Sequence, residues 1–205
     1  MSGKTSAPVK GGKGSWLDGQ MLVAMPSMPD ERFARTVIFM CAHSAEGAMG
    51  IVINQKAPKV TFPDLLVQLD VIDAKDAIRL RSDVGAVPIL RGGPMESERG
   101  FVLHSSDFNA GEQTVAIDKS VSLTATLDIL RAIAKGNGPH RVALALGYAS
   151  WGPGQLESEI AHNGWLTGPV DPSLIFDAAH EQKYGRALRS MGVDPAFLSG
   201  EAGHA

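Results

Sequence analysis

The chain is expected to fold as a single α+β domain built on a mixed or antiparallel sheet. Three observations lead there. Its 205 residues are enough to bury one substantial core. Strand-like apolar runs are interspersed with helical patterns but never settle into a sustained βαβαβ alternation, which argues against a doubly wound parallel sheet. The 23 Gly and 12 Pro follow no period, so they signal turns and irregular connections, and a helical bundle fits them poorly.

The elements follow in chain order. Residues 20–26 are a short apolar run between Asp18-Gly19 and the turn formers Pro26 to Pro29, and predict a strand entering a polar loop. Residues 36–42 and 50–54 are β-branched and almost continuously apolar, with Ser44 to Gly47 as the turn, and predict a buried hairpin. Phe62, Leu65, Leu66 and Leu69 fall at helical spacing behind Thr61, an N-cap residue followed by Pro63 and Asp64 in the first turn. Residues 87–90 and 100–104 read as strands flanking a glycine-rich loop from Arg91 to Arg99. Residues 114–117 alternate as a further strand, and Leu127, Leu130, Ile133 and Ala134 mark a helix stopped by Gly136-Asn137-Gly138-Pro139. Residues 141–148 read as a buried strand running into Trp151-Gly-Pro-Gly154, after which a helix begins at Gln155. From Asp171 to Met191 the pattern is helical, with Asp171 as the cap. Residues 1–15 read as a flexible basic tail, 16–191 as one domain and 192–205 as a fraying C-terminal tail.

Composition narrows the function classes. A net charge of -3 supplies no basic field for a phosphate backbone, so nucleic acid is not the expected partner. Arg186 and Arg189, one turn apart on the last helix with Lys183, read as a solvated face rather than a phosphate contact. The one cysteine, Cys41, cannot form an intramolecular disulfide, which fits a reducing cytoplasm. The longest apolar runs, 36–42 and 142–148, fall far short of the ~20 residues a membrane span needs, so no membrane association is expected.

Candidate chemistry gathers at three places. Gly92-Gly93-Pro94, with Arg91 and Arg99 beside it, could bring backbone N–H groups to a ligand, although neither nucleotide-binding glycine fingerprint is present. Tyr148 and Trp151 stand where a strand ends, ahead of Gln155, Glu157 and Glu159 on the next helix, a favourable place for ligands. Glu157 and Glu159 lie about 200° apart around that helix, so they cannot serve one bond together. Glu159 and His162 share a face but occur once, so no metal is expected. Cys41 and His43, two apart on a predicted strand, are expected on one face as a thiolate–imidazole pair, with His104 as another base.

Four segments in this order resemble one bacterial family: Leu22-Val-Ala-Met-Pro26 with Asp30 and Phe33; Gly47-Ala-Met-Gly-Ile-Val-Ile-Asn54; Arg91-Gly-Gly-Pro94 with Arg99-Gly-Phe-Val-Leu-His104; and Gly147-Tyr-Ala-Ser-Trp-Gly-Pro-Gly-Gln-Leu-Glu157 with Glu159 and Asn163-Gly-Trp-Leu166. The resemblance is to the AlgH/YqgE proteins. It implies a single α+β domain of strongly coiled, bifurcated β-sheets flanked by helices, and it brings no catalytic residues with it. One branch of that family carries the label of a transcriptional regulator. The expectation is therefore a cytoplasmic, non-enzymatic binding or regulatory protein that needs no cofactor and does not act by direct DNA binding. Its partner, a protein or a small molecule, would enter a cleft formed by Gly92, Gly93, Pro94 and Arg99 together with Tyr148, Trp151, Gln155 and Glu157. The alternative is an enzyme using Cys41 with His43 or His104.

Overall fold

The computed structural model describes residues 16–194, and the expectations for 1–15 and for 195–205 lie outside the described residues. In chain order the strands are β1 (Gln20–Ala24), β2 (Val37–Ser44), β3 (Gly47–Val52), β4 (Ile89–Arg91), β5 (Met95–Ser105), β6 (Thr114–Ala116), β7 (Val121–Thr124), β8 (Val142–Trp151) and β9 (Trp165–Pro169). The helices are α1 (Phe62–Gln68), α2 (Ala74–Ala77) and α3 (Ser82–Gly85) before β4, α4 (Leu127–Ala134) before β8, and α5 (Gln155–Ala161), α6 (Pro172–Phe176) and α7 (His180–Ser190) after it. Together they form the single α+β domain expected.

All strands join one sheet in the order β6-β7-β5-β8-β3-β2-β1-β9, with β4 also beside β8. Every pairing is antiparallel except β4 with β8. The sheet forks along β8. Leu144 to Leu146 run beside β4, whereas Ala149 to Trp151 run beside β3. Gly147, at φ +75°, marks the switch. There the backbones of Gly92 and Gly93 cross β8 so closely that a Cβ on Gly92 would stand 2.2 Å from the Gly147 carbonyl oxygen. The Gly92 amide donates to Leu146 O (2.8 Å) and its carbonyl accepts from Val52 N (2.8 Å), so this dipeptide ties β4, β8 and β3 together. The strand β5 begins at Met95, which leaves only Gly92 to Pro94 of the expected glycine-rich loop outside regular structure.

Both faces of the β2–β3 hairpin are covered, which is why its sequence is almost continuously apolar. Phe39, Ile51 and Ile53 join one cluster with α6 and α7, and Ile38, Met40 and Val52 join another with Trp151, Leu156 and Trp165. A third cluster packs α1 and α4 against β4 and β8. The Thr61 cap forms as expected, its side chain accepting from Asp64 N. The helical pattern from Asp171 to Met191 is two helices, α6 and α7, because Asp177 turns extended (ψ 141°) and its carboxylate caps Ala179 N. No helix among the described residues is long and apolar enough to cross a membrane.

Two buried polar groups correct the sequence reading. Lys183 is not on a solvated face: it is fully buried, its Nζ donating to Ile53 O (3.0 Å) and Ile175 O (2.9 Å), while Arg186 pairs with Asp177 (2.5 Å). Burial pushes the Lys183 ammonium down to about 8 from an ordinary value of 10.5. Between those values the unfolded chain holds a proton that the folded one has released, so Lys183 makes stability rise with pH across this window. The full difference is worth about 3 kcal/mol. Urea unfolding at pH 7.5 and pH 9.5 should show this rise in the wild-type protein relative to Lys183→Met. Equal pH slopes in the two proteins would refute it. The comparison cancels Cys41 and Tyr184, whose raised values act with the opposite sign.

His104 is likewise fully buried. Its Nδ1 donates to Ser105 O (2.9 Å), which leaves Nε2 to accept from Thr124 Oγ1 (2.9 Å). Thr124 then accepts from Thr114 Oγ1 (2.9 Å), and Thr114 from Ala110 N (2.9 Å). Burial lowers the imidazole below its ordinary value and keeps it neutral. Its nitrogens are thus committed to joining β5, β6 and β7.

Candidate functional site

The chain turns sharply at the end of β8, and the Gln155 side chain accepts from Gly152 N (3.0 Å), fastening that turn to α5. Gln155 and Glu159 are four apart and share a helix face. The Gln155 amide donates to Glu159 Oε1 (2.9 Å). Glu159 Oε2 accepts from two indoles, Trp151 Nε1 (2.9 Å) at the end of β8 and Trp165 Nε1 (2.8 Å) at the start of β9. Three neutral N–H groups therefore hold one carboxylate. The two indoles meet edge to face at 5.9 Å, and Phe33 stacks on Trp151 at 6.3 Å and meets Trp165 edge-on at 5.7 Å.

Phe33 ends a 3-10 turn, Glu31–Phe33, that Asp30 caps by accepting from Arg32 N (3.0 Å). The Arg32 fork closes on the same carboxylate at 3.0 Å through Nε and 2.6 Å through Nη2. Those Arg32 hydrogen bonds hold the Asp30 carboxyl below the usual carboxylate range. Between this turn, the Pro94–Met95 corner and α5 lies a cleft of about 330 Å³, mostly apolar in lining. Its lining includes Met28, Pro29, Phe33, Pro94, Met95 and Trp151, with Gln155, Glu159 and His162 from α5 and its end.

Of the residues expected to form a cleft, the structure brings Pro94, Trp151 and Gln155 together here. Gly92 and Gly93 are buried at the fork behind it, their backbones against β8. Tyr148 packs on Phe101 (5.5 Å) in another cluster, and Arg99 lies over the same ring (5.1 Å) while pairing with Glu96 (3.0 Å). Glu157 points away to His43, whose Nε2 stands 2.9 Å from Oε1. Its carboxyl is lowered by its own backbone N–H first and by His43 next. The two α5 carboxylates thus serve different partners, as their angular separation requires. Asp30 and Arg32 come into the cleft without having been read as ligand groups, and Glu159, placed at a helix start favourable for ligands but not counted in the expected cleft, joins them. The spacing from Gln155 to Glu159 was the available signal for the last.

The expectation that Cys41 and His43 share a face is corrected by a β-bulge. Met40 pairs with Gly50 and Ala42 with Met49, so Cys41 is the extra residue in β2 and the alternation reverses there. Cys41 faces the Phe39 cluster, its thiol pushed far up by burial, whereas His43 faces α5 and accepts from Leu17 N at Nδ1 (3.2 Å). No group of three His, Cys, Asp or Glu side chains able to hold a metal occurs among the described residues.

A curled, forked α+β sheet with an aromatic and carboxylate cleft beside the fork defines the class to which this molecule is to be compared. The chain belongs to the AlgH-like family, which it matches over residues 21–196. It is 64% identical over 192 residues to a UPF0301 protein of Beijerinckia indica, covering 94% of each chain. It is 60% identical over 202 residues to a UPF0301 protein of Methylobacterium nodulans, covering 98% of this chain and 96% of that one. The solution structure of the AlgH protein from Pseudomonas aeruginosa superposes with a TM-score of 0.73 at 37% identity, over 96% of this chain and 100% of that one. A crystal structure from Corynebacterium diphtheriae shares the fold, with a TM-score of 0.66 at 20% identity over 87% and 89% of the two chains.

Proposed function

We propose that this AlgH-like chain is a non-enzymatic binding protein whose ligand enters the cleft between the Asp30–Phe33 turn, Pro94–Met95 and α5. The observation that carries this reading is the Glu159 carboxylate, held by two indole N–H groups and one amide N–H in the wall of an apolar cleft. Such donors do not exchange protons with a carboxylate near neutral pH, so the arrangement orients a charge and does not relay one. Apolar walls with a few fixed polar groups are the usual make-up of small-molecule sites. A cytoplasmic regulatory role, as the family label suggests, would then act through what the cleft binds. DNA is a poor candidate, because Lys183 is buried and Arg186 is paired with Asp177.

The test is a fragment screen read at the indole N–H resonances of Trp151 and Trp165 by NMR. Bound fragments should shift both signals ahead of the rest of the spectrum. Gln155→Ala, an exposed change that removes hydrogen bonds to Gly152 N and Glu159 and is expected to cost about 1 kcal/mol of stability, should weaken fragment binding at least fivefold. Fragments that leave both indoles unmoved, or that bind Gln155→Ala equally well, would sink the proposal.

A further inference from the structure

We infer that the cleft recognises a small primary amine, an ammonium group carried on an apolar body; this rests on the reading of the cleft as a binding site. Four ionisable side chains line the cleft: Asp30, Arg32, Glu159 and His162. Asp30 and Arg32 neutralise each other through a two-bonded fork. His162 has its Nδ1 2.7 Å from Ser158 O, a bond along its own helix. Glu159 has three partners, all neutral, and no cationic side chain among the described residues stands within ion-pair distance of it. One negative charge is therefore left unmatched on an apolar wall, where a cation is favoured and a carboxylate repelled.

The shape of the remaining acceptor selects among cations. An ionised carboxylate offers about four lone-pair positions. Both on Oε2 are taken by indoles, and one on Oε1 is taken by Gln155. A single position on one oxygen suits one N–H of an ammonium. A guanidinium fork needs both oxygens. The Arg32 guanidinium already lies over the Phe33 ring (5.8 Å) and Phe33 stacks on Trp151 (6.3 Å), so the cation is selected by Glu159 and not by these rings, while Met28, Pro29, Pro94 and Met95 supply apolar surface for its body. A cleft of about 330 Å³ is near the lower end of the range for small-molecule sites, which favours a free amine.

Four probes built on six-carbon chains separate this inference from the reading beneath it: hexylamine, hexanol, hexanoate and hexylguanidine, each titrated while the Trp151 and Trp165 indole N–H signals are followed. Hexylamine should bind at least tenfold more tightly than hexanol, as one charge-assisted hydrogen bond allows, and more tightly than hexylguanidine and hexanoate. Glu159→Gln, whose amide oxygen can still accept from both indoles while its NH2 takes the place of Oε1 beside Gln155, should abolish the preference for hexylamine over hexanol. Binding of hexanol, hexanoate or hexylguanidine equal to that of hexylamine would overturn the amine assignment while leaving the cleft a binding site. No shift of either indole with any probe would overturn both. Tighter binding of Nα-acetyllysine N-methylamide than of hexylamine would assign the ammonium to a partner's lysine and overturn the small-molecule assignment.

Discussion

Gly93→Ala is expected to prevent stable folding. The Cβ it adds would lie 2.1 Å from the Tyr148 carbonyl carbon and 2.3 Å from its oxygen, both backbone atoms of a paired strand. Backbone cannot swing aside as the end of a long side chain can, so the fork itself must open. The φ of +155° adds strain for any residue with a Cβ. Overpacking a core costs about 1–3 kcal/mol when side chains yield. Here neither partner yields, and a loss above about 4 kcal/mol is expected, a large part of the stability of a typical domain. Circular dichroism and urea unfolding check this, with Gly85→Ala as the control, since an added Cβ there meets nothing within 4 Å. A Gly93→Ala protein that folds with a loss below about 1 kcal/mol would show the contact at the fork to be loose.

Trp151→Ala is expected to be the second most damaging change, at about 3–5 kcal/mol. Trp151 is only 5% exposed and packs against both Phe33 and Trp165. Its removal also takes one N–H from Glu159, so stability and binding should fall together. Trp151→Phe keeps one aromatic ring but loses the N–H and the rest of the indole bicycle, so it should cost about 2–3 kcal/mol, less than Trp151→Ala. Thermal and urea unfolding of the pair measure the difference. Equal losses would mean that the ring is not the source of the stability. Gln155→Ala remains the variant that separates wall from core, because it touches Glu159 from the solvent side.

Local signals made much of this fold legible. The Thr61 cap, the Gly136 stop after α4 and the apolar β2–β3 hairpin are each written within a few neighbouring residues. What could not be read depends on partners distant in the chain. Lys183 is buried because its ammonium reaches the carbonyl of Ile53, 130 residues earlier. Strand β7, the short helices α2 and α3, and β9 carry too few residues for periodicity to declare itself. The bulge at Cys41 has no compositional mark, since a β-branched, apolar run reads the same with or without an extra residue. Of the candidate site, the meeting of Pro94 with Trp151 and Gln155 was anticipated. The Asp30–Phe33 turn opposite them was quoted only for its resemblance, because its placement is a tertiary fact.

The shared strand β8 also governs how the molecule comes apart. Its first half is held by β4 and β5 and its second half by β3, so neither branch of the sheet can detach without breaking a strand that the other branch needs. The two branches are thereby one cooperative unit. Amide hydrogens along the buried stretch from Ala143 to Ala145 should exchange only by global unfolding, and loosening at either outer edge, β6 or β9, stops where it meets this strand.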